Sequence, residues 1–206
     1  MDLELGPATQ ADARRIAEIH MAAFRDNAML QAQFPTAAVR QALQKCIELK
    51  ALADINDPNV TVLVVKEKDD IIAFAKWSHP IPDAENYAET PWIWPDGTDE
   101  TVLAAWSEKT EEAFKHAMGT VPCYRLSFIG TDPSHKGRGA GSLLVGWGIE
   151  RSKADRAPIY LESTLEAAPF YERLGFTAGE TASLQLPNIG SGMEDIYKEV
   201  IFTYTP

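Results

Sequence analysis

The chain has 206 residues, a net charge of −11 and 45% hydrophobic residues, with a pI near 4.8, which fits one domain with a sizeable core. Its 24% charged and 9% aromatic content excludes bulk disorder, the lack of repeats excludes coiled-coil and collagen-like chains, and no apolar run reaches the ~20 residues of a membrane span. The acidic balance opposes nucleic-acid binding, so a polyanionic ligand must be held by a local feature working against the global field.

The opening MDLELGPATQ has neither a basic start nor an apolar stretch, so no secretory signal is expected. Two cysteines, Cys46 and Cys123, are too few for a disulfide scaffold or a four-ligand zinc site and suit a reducing, cytoplasmic setting. Residues 3–7 read as a short edge strand. Thr9 caps a helix with Ala13, Ile16, Ala17, Ile19, His20 and Phe24 at helical spacing. Thr36 opens a second helix to about Asp54, with Val39, Leu43, Cys46, Ile47 and Leu49 on its apolar side. VTVLVV (60–65) and IIAFAKW (71–77), joined by KEKDD, read as an antiparallel hairpin.

Residues 79–98 break the pattern with Pro80, Pro82, Pro91 and Pro95. Loops this long are functional or disordered, and Tyr87, Trp92 and Trp94 point to docking on the body. A helix (99–117), a strand (124–132), a helix (139–155), a strand (157–162), a short helix (166–174), a return strand (175–186) and a terminal strand (193–204) follow. With no internal linker, residues 1–206 are expected to form one α/β (α+β) domain.

The stretch IGTDPSHKGRGAGSLLVGWGIER (129–151) places a strand, then Gly137, Gly139 and Gly141, then an amphipathic helix. That order suits a pyrophosphate: glycines admit close backbone approach, and the first-turn N–H groups and the helix dipole favour an anion. Lys136 and Arg138 add local positive charge. A Walker loop would need Gly-Lys-Ser/Thr, absent here, and a dinucleotide fingerprint would lie near the first strand with other spacing.

Residues 133–144, PSHKGRGAGSLL, resemble the acetyl-CoA signature of the GNAT N-acetyltransferase superfamily, Arg/Gln-x-x-Gly-x-Gly/Ala, with Lys136 in the first position. Phe170-Tyr171-Glu172-Arg173-Leu174-Gly175-Phe176 is similar to a second element of that superfamily, as found in puromycin N-acetyltransferase-like members. The resemblance implies a mixed sheet of about six to seven strands with helices on both faces. It implies acetyl-CoA as co-substrate, no metal, and direct transfer of acetyl to an amine in a ternary complex. The backbone of Phe128, Ile129, Gly130 and Thr131 would then pair with the pantetheine arm along a strand that splays from its parallel neighbour. Lys136, Gly137, Arg138, Gly139, Ala140, Gly141 and Ser142 would hold the pyrophosphate. Tyr171 would sit at the CoA sulfur as general acid.

For the base, Glu162 ends the strand after the glycine helix and His79 ends the hairpin strand; a water path with no single base is also open. Asp132 reads as a turn residue, His20 and His116 as ordinary helix residues, His135 as a solvent-facing turn residue. The cysteines have no partner histidine in view and read as structural. From Pro80 to Glu112 nine acids (Asp83, Glu85, Glu89, Asp96, Asp99, Glu100, Glu108, Glu111, Glu112) face one base, Lys109. If this insertion forms the mouth of the acceptor site, its charge with Trp92 and Trp94 suits a cationic, partly apolar small amine. A CoA-binding regulatory module, a peptide or protein amine as acceptor, and a nucleotide-dependent enzyme using the glycine turn are the alternatives. The chain is expected to act as a monomer or homodimer.

Overall fold

The computed structural model describes residues 2–81, 87–187 and 196–206. In chain order the elements are β1 (Leu3–Pro7), α1 (Ala13–Ala23), α2 (Ala28–Gln33), α3 (Ala37–Ile55), β2 (Val60–Glu67), β3 (Asp70–Ser78), α4 (Glu100–Met118), β4 (Tyr124–Thr131), α5 (Ala140–Asp155), β5 (Ile159–Thr164), α6 (Ala168–Arg173), β6 (Thr177–Gln185) and β7 (Ile196–Tyr204). The strands make one sheet in the order β1-β2-β3-β4-β5-β7-β6. Every neighbouring pair is antiparallel except β4 and β5, which are parallel. The mixed, seven-stranded α/β architecture agrees with the expectation. Among the described residues no helix is long and apolar enough to cross a membrane.

Strand alternation sorts the hairpin's side chains to two cores. Val62 and Val64 pack with Ile16, Ile19 and Ala51 of α1 and α3. Leu63 and Val65 face the opposite way, with Ala73, Ala75 and Trp77, onto Leu144 and Val145 of α5. α4 lies against the β5–β7 side, where Ala113 and Met118 meet Tyr160 and Ile201. Helices therefore cover both faces.

Two helix readings change in the structure. α3 starts as expected, with Thr36 Oγ1 accepting the Val39 N–H at 3.2 Å, but Leu49 is 45% exposed while Lys50 and Asp54 are buried. Their opposite charges satisfy each other, so the helix turns that polar pair inward instead of the leucine. α2 went unread because six residues are too short for a periodic pattern. Its signal is local: Asn27 Oδ1 accepts the Leu30 N–H at 2.9 Å as an N-cap.

β4 and β5 share ladder pairs only from Tyr124 to Leu126 and from Ile159 to Leu161. β4 continues to Thr131 against β3, and β5 continues to Thr164 against β7. Beyond Leu126 and Leu161 the two strands have parted, which leaves one edge of each open.

α5 can lie close to the sheet because Gly148 faces the fully buried Trp77: a Cβ at 148 would sit 2.3 Å from Trp77 Cη2. Gly148→Ala should therefore destabilise the fold by about 1–3 kcal/mol, the usual cost of overpacking. In urea titration the midpoint should fall with an unchanged slope.

Candidate functional site

A cavity of about 490 Å³ occupies the gap between β4 and β5. On one side it is walled by α1, α2, α4 and residues 89–94; on the other it reaches Tyr171 of α6. The strand edge that borders it can be assigned from hydrogen bonding. The Asp132 N–H donates to the Ile72 C=O on β3 at 2.8 Å. By alternation, the backbone groups of Gly130 and Phe128 also face β3, and those of Ile129 and Thr131 face the open side. Gly130 has a packing reason to be glycine, since a Cβ there would lie 2.8 Å from Phe74 Cε1.

The chain then turns into α5. Asp132 accepts from the Ser134 N–H and Oγ at 3.0 and 2.6 Å and from Arg15 at 2.6 Å. These bonds, Ser134's first, hold its carboxyl well below the usual range, so Asp132 is a turn residue as read. Gly137 and Gly139 have φ of +78° and +94°, a region that favours glycine. Gly139 is the N-cap of α5 and offers no side chain to the first-turn amides, which leaves those donors for an external acceptor. Lys136 is exposed, whereas Arg138 is engaged by Glu67 at 2.7 Å. Open strand edge and uncapped glycine turn together fit the pantetheine and pyrophosphate of a CoA molecule.

The chamber on the α1–α4 side is aromatic. Trp92 and Trp94 stack with centroids 4.6 Å apart and planes 4° from parallel. Trp94 packs on Phe34, and Trp92 meets Phe128 edge-on. His20, expected to be an ordinary helix residue, lines the chamber among Phe24, Phe74 and Phe128; burial lowers its pKa to about 4, so it is neutral at pH 7. The tryptophan segment is strapped down by Glu89, which meets both Lys50 (2.5 Å) and Lys76. Asp54 of α3 also holds both lysines, Lys76 at 3.0 Å. Burial opposes the charge of Lys50, but Asp54 and Glu89 outweigh it and raise its pKa; the lysines likewise outweigh burial at Glu89 and lower its pKa.

Carboxylates mark the end of the cavity nearest β5 and β7. Glu162 reaches it as expected, but its Oε1 accepts from Arg125 at 2.6 Å. Arg125 is wedged between the rings of Phe114 and Tyr160. Glu199, unmarked in the sequence, lines the same end. Its Oε1 accepts from the Tyr197 hydroxyl at 2.5 Å, and that hydroxyl accepts from Asn27 Nδ2 at 2.9 Å. Burial, with the nearby charge of Glu162, pushes the Glu199 pKa up to about 7 despite the Tyr197 bond. Tyr171 is 4% exposed; burial and the Glu199 charge raise its pKa, so it keeps its proton.

Other candidates lie elsewhere. His79 is not brought to the cavity: its backbone N–H donates to the Asn59 C=O at 2.9 Å, its ring bonds Thr61 Oγ1 at 2.8 Å and meets Tyr124 edge-on. His116 pairs with Glu180 on the surface, and His135 bonds Ser134. Neither cysteine lines the cavity; burial pushes Cys123 up to about 11 and raises Cys46. Of the acidic segment, Asp83 and Glu85 lie outside the described residues. Among those described only Glu89 reaches the cavity, and lysines neutralise it. Asp96 and the α4 acids Glu100, Glu108, Glu111 and Glu112 are exposed. Among the described residues the acidic segment thus gives the cavity one carboxylate, Glu89, held by lysines; the other cavity carboxylates are Glu162, paired with Arg125, and Glu199.

A model of the acetyltransferase (GNAT) family matches residues 14–176. Among curated proteins, "Probable acyltransferase SID5" of Ajellomyces capsulatus is 31% identical over 107 residues, covering 48% of this chain and 78% of that protein. Among solved structures, the histone acetyltransferase HPA2 and related acetyltransferase from Corynebacterium glutamicum aligns with 100% of this chain and 97% of its own, at 22% identity and a TM-score of 0.64. A Drosophila melanogaster polyamine N-acetyltransferase that forms N-acetylagmatine covers both chains fully, at 16% identity and a TM-score of 0.61.

The ion cluster under Trp92 generates a stability prediction. Asp54→Asn leaves two buried lysines facing one carboxylate, so unfolding free energy should drop by about 3–5 kcal/mol. Glu89→Gln should cost less, because Glu89 is partly exposed, its side chain at 38%. Urea denaturation of the two variants checks the order.

Proposed function

The chain belongs to the acetyltransferase (GNAT) family, and from that premise we propose that it moves an acetyl group from acetyl-CoA to the amine of a small, cationic, partly apolar molecule by direct attack. The observation that carries this reading is the continuity of one cavity through the β4–β5 gap. It joins a chamber of small-molecule size, bounded by Trp92, Trp94 and two carboxylates, to Tyr171 on the α5–α6 side. The name of the Drosophila polyamine enzyme supports an amine acceptor. A chamber of about 490 Å³ lined by aromatic side chains suits a small-molecule amine.

In this reading Ile129 and Thr131 take the pantetheine arm by β-augmentation, and one of their N–H groups polarises the thioester carbonyl. The amides of residues 137–142 hold the pyrophosphate with Lys136 nearby. Trp92 and Trp94 receive the body of the acceptor by apolar and cation–π contact. The gap aligns amine and thioester, which supplies proximity. Tyr171, kept protonated, gives its proton to the departing thiolate. Attack by the amine itself needs no acyl-enzyme, in keeping with thiols that stay protonated and off the path.

Two variants test the halves of the site. Gly141 has ordinary φ, and a Cβ there only touches Phe170 Cζ at 3.5 Å. Gly141→Asp should therefore fold normally, yet lose acetyl-CoA affinity by ~10²-fold or more, since a like charge beside the pyrophosphate costs several kcal/mol. Unchanged calorimetric affinity would remove the pyrophosphate assignment. Tyr171→Phe should lower kcat by ~10²–10⁴-fold with the acetyl-CoA Kd intact; equal turnover would return Tyr171 to a packing role.

A further inference from the structure

We propose that Glu199 is the catalytic base of this protein, the group that takes the proton of the incoming ammonium, with Tyr197 and Asn27 as positioning residues. The inference rests on the N-acetyltransferase reading above and deepens it.

Position comes first. Glu199 stands opposite Thr164 in the β5–β7 ladder, at the end of β5 that has left β4. It lines the same cavity as Tyr171 and Glu162. The groups facing it are Glu162 from β5, Tyr171 from α6 and Tyr197 on its own strand; its partner across the β6–β7 ladder is Ala182, which carries no charge. The two carboxylates at this end of the cavity differ in one respect. Glu162 is matched by Arg125, whereas among the described residues Glu199 has no cation and one hydrogen-bond donor, Tyr197. An ammonium entering this end therefore finds its unmatched anion at Glu199.

The hydrogen-bond directions are forced. Asn27 Oδ1 is committed to the Leu30 N–H as the α2 cap, so its Nδ2 donates to the Tyr197 oxygen. The Tyr197 hydroxyl, accepting there, donates to Glu199 Oε1. Oε1 is thereby occupied and Oε2 remains for the substrate. Burial places the carboxyl near pH 7, where a base is half free and gains most from a proton.

The step balances as follows. The ammonium gives one proton to Glu199, and the nitrogen lone pair forms the C–N bond. The C–S bond breaks, and its sulfur takes the Tyr171 proton. A second nitrogen proton restores Tyr171, the third stays in the amide, and Glu199 releases its proton to water.

The test is kcat/KM against pH for a panel of 2-phenylethylamine, tyramine and agmatine with acetyl-CoA, read by thiol release. Wild-type kcat/KM should fall tenfold per pH unit below about 7. Glu199→Gln should lose ~10²–10⁴-fold at pH 7 and lose that acid limb, with acetyl-CoA Kd unchanged. Glu162→Gln should keep the limb, moved to lower pH by removal of a negative neighbour. Tyr197→Phe should move it to higher pH, because the lost hydrogen bond favoured the carboxylate. Independently of turnover, ¹³C-carboxyl NMR of the ligand-free protein should show a glutamate titrating near 7 that disappears in Glu199→Gln. Superimposed profiles for wild type and Glu199→Gln, a titration near 7 that survives in that variant, or loss of the limb only in Glu162→Gln would each overturn the assignment while leaving the transferase reading standing. No transfer to any of the three amines by the wild type would overturn both.

Discussion

β4 and β5 run parallel, yet they hydrogen-bond only over Tyr124–Leu126 and Ile159–Leu161. A sheet that parts midway must leave backbone donors and acceptors unpaired, and a buried unpaired peptide group is costly. The open edge is tolerable because it borders a cavity, where a bound chain can complete the ladder. The same parting lets α6 and the α1–α4 side share one space, so Tyr171 and the aromatic chamber meet through the sheet. The glycine turn lies at the end of the same strand, since β4 leads through residues 132–139 to the uncapped start of α5.

Charge is arranged against the average of the molecule. The chain is strongly acidic, but two lysines lie buried beneath the chamber, each matched by the carboxylates of Asp54 and Glu89. This neutral cluster carries no net field into the chamber; it anchors the tryptophan wall. At the β5–β7 end of the cavity Arg125 offsets Glu162, and among the described residues Glu199 faces no cation. Neutral His20 adds no opposing charge. A buried ion cluster of this kind is weak evidence for stability as such; its place under Trp92 makes it a fastening for the wall.

Much of this was legible in the sequence because local rules agreed with the fold. The hairpin's β-branched alternation, the Thr36 cap and the strand–glycine turn–helix each depend on neighbours in the chain, and each appears where read. The resemblance supplied the sheet's overall layout. What escaped depends on contacts between distant residues. Nothing in the helix pattern marks Lys50 and Asp54 for burial; their partners Lys76 and Glu89 lie beyond the helix, further along the chain. Glu199 carries no mark in the terminal strand; only the β5–β7 register and Asn27, 172 residues earlier, make it a cavity wall. His79 shows the opposite error, a histidine beside the right loop whose ring is drawn away by Thr61. The Glu89 carboxylate belonged to a segment whose composition suggested a charged mouth, and buried lysines cancel it.

Amide hydrogen exchange on adding CoA tests the central claim, that the parted edge of β4 is a docking edge for the cofactor. The Ile129 and Thr131 amides and those of residues 137–142 should slow, while Phe128 and Gly130, already committed to β3, should not change. Protection confined to other segments, or equal protection of all four β4 amides, would contradict the account.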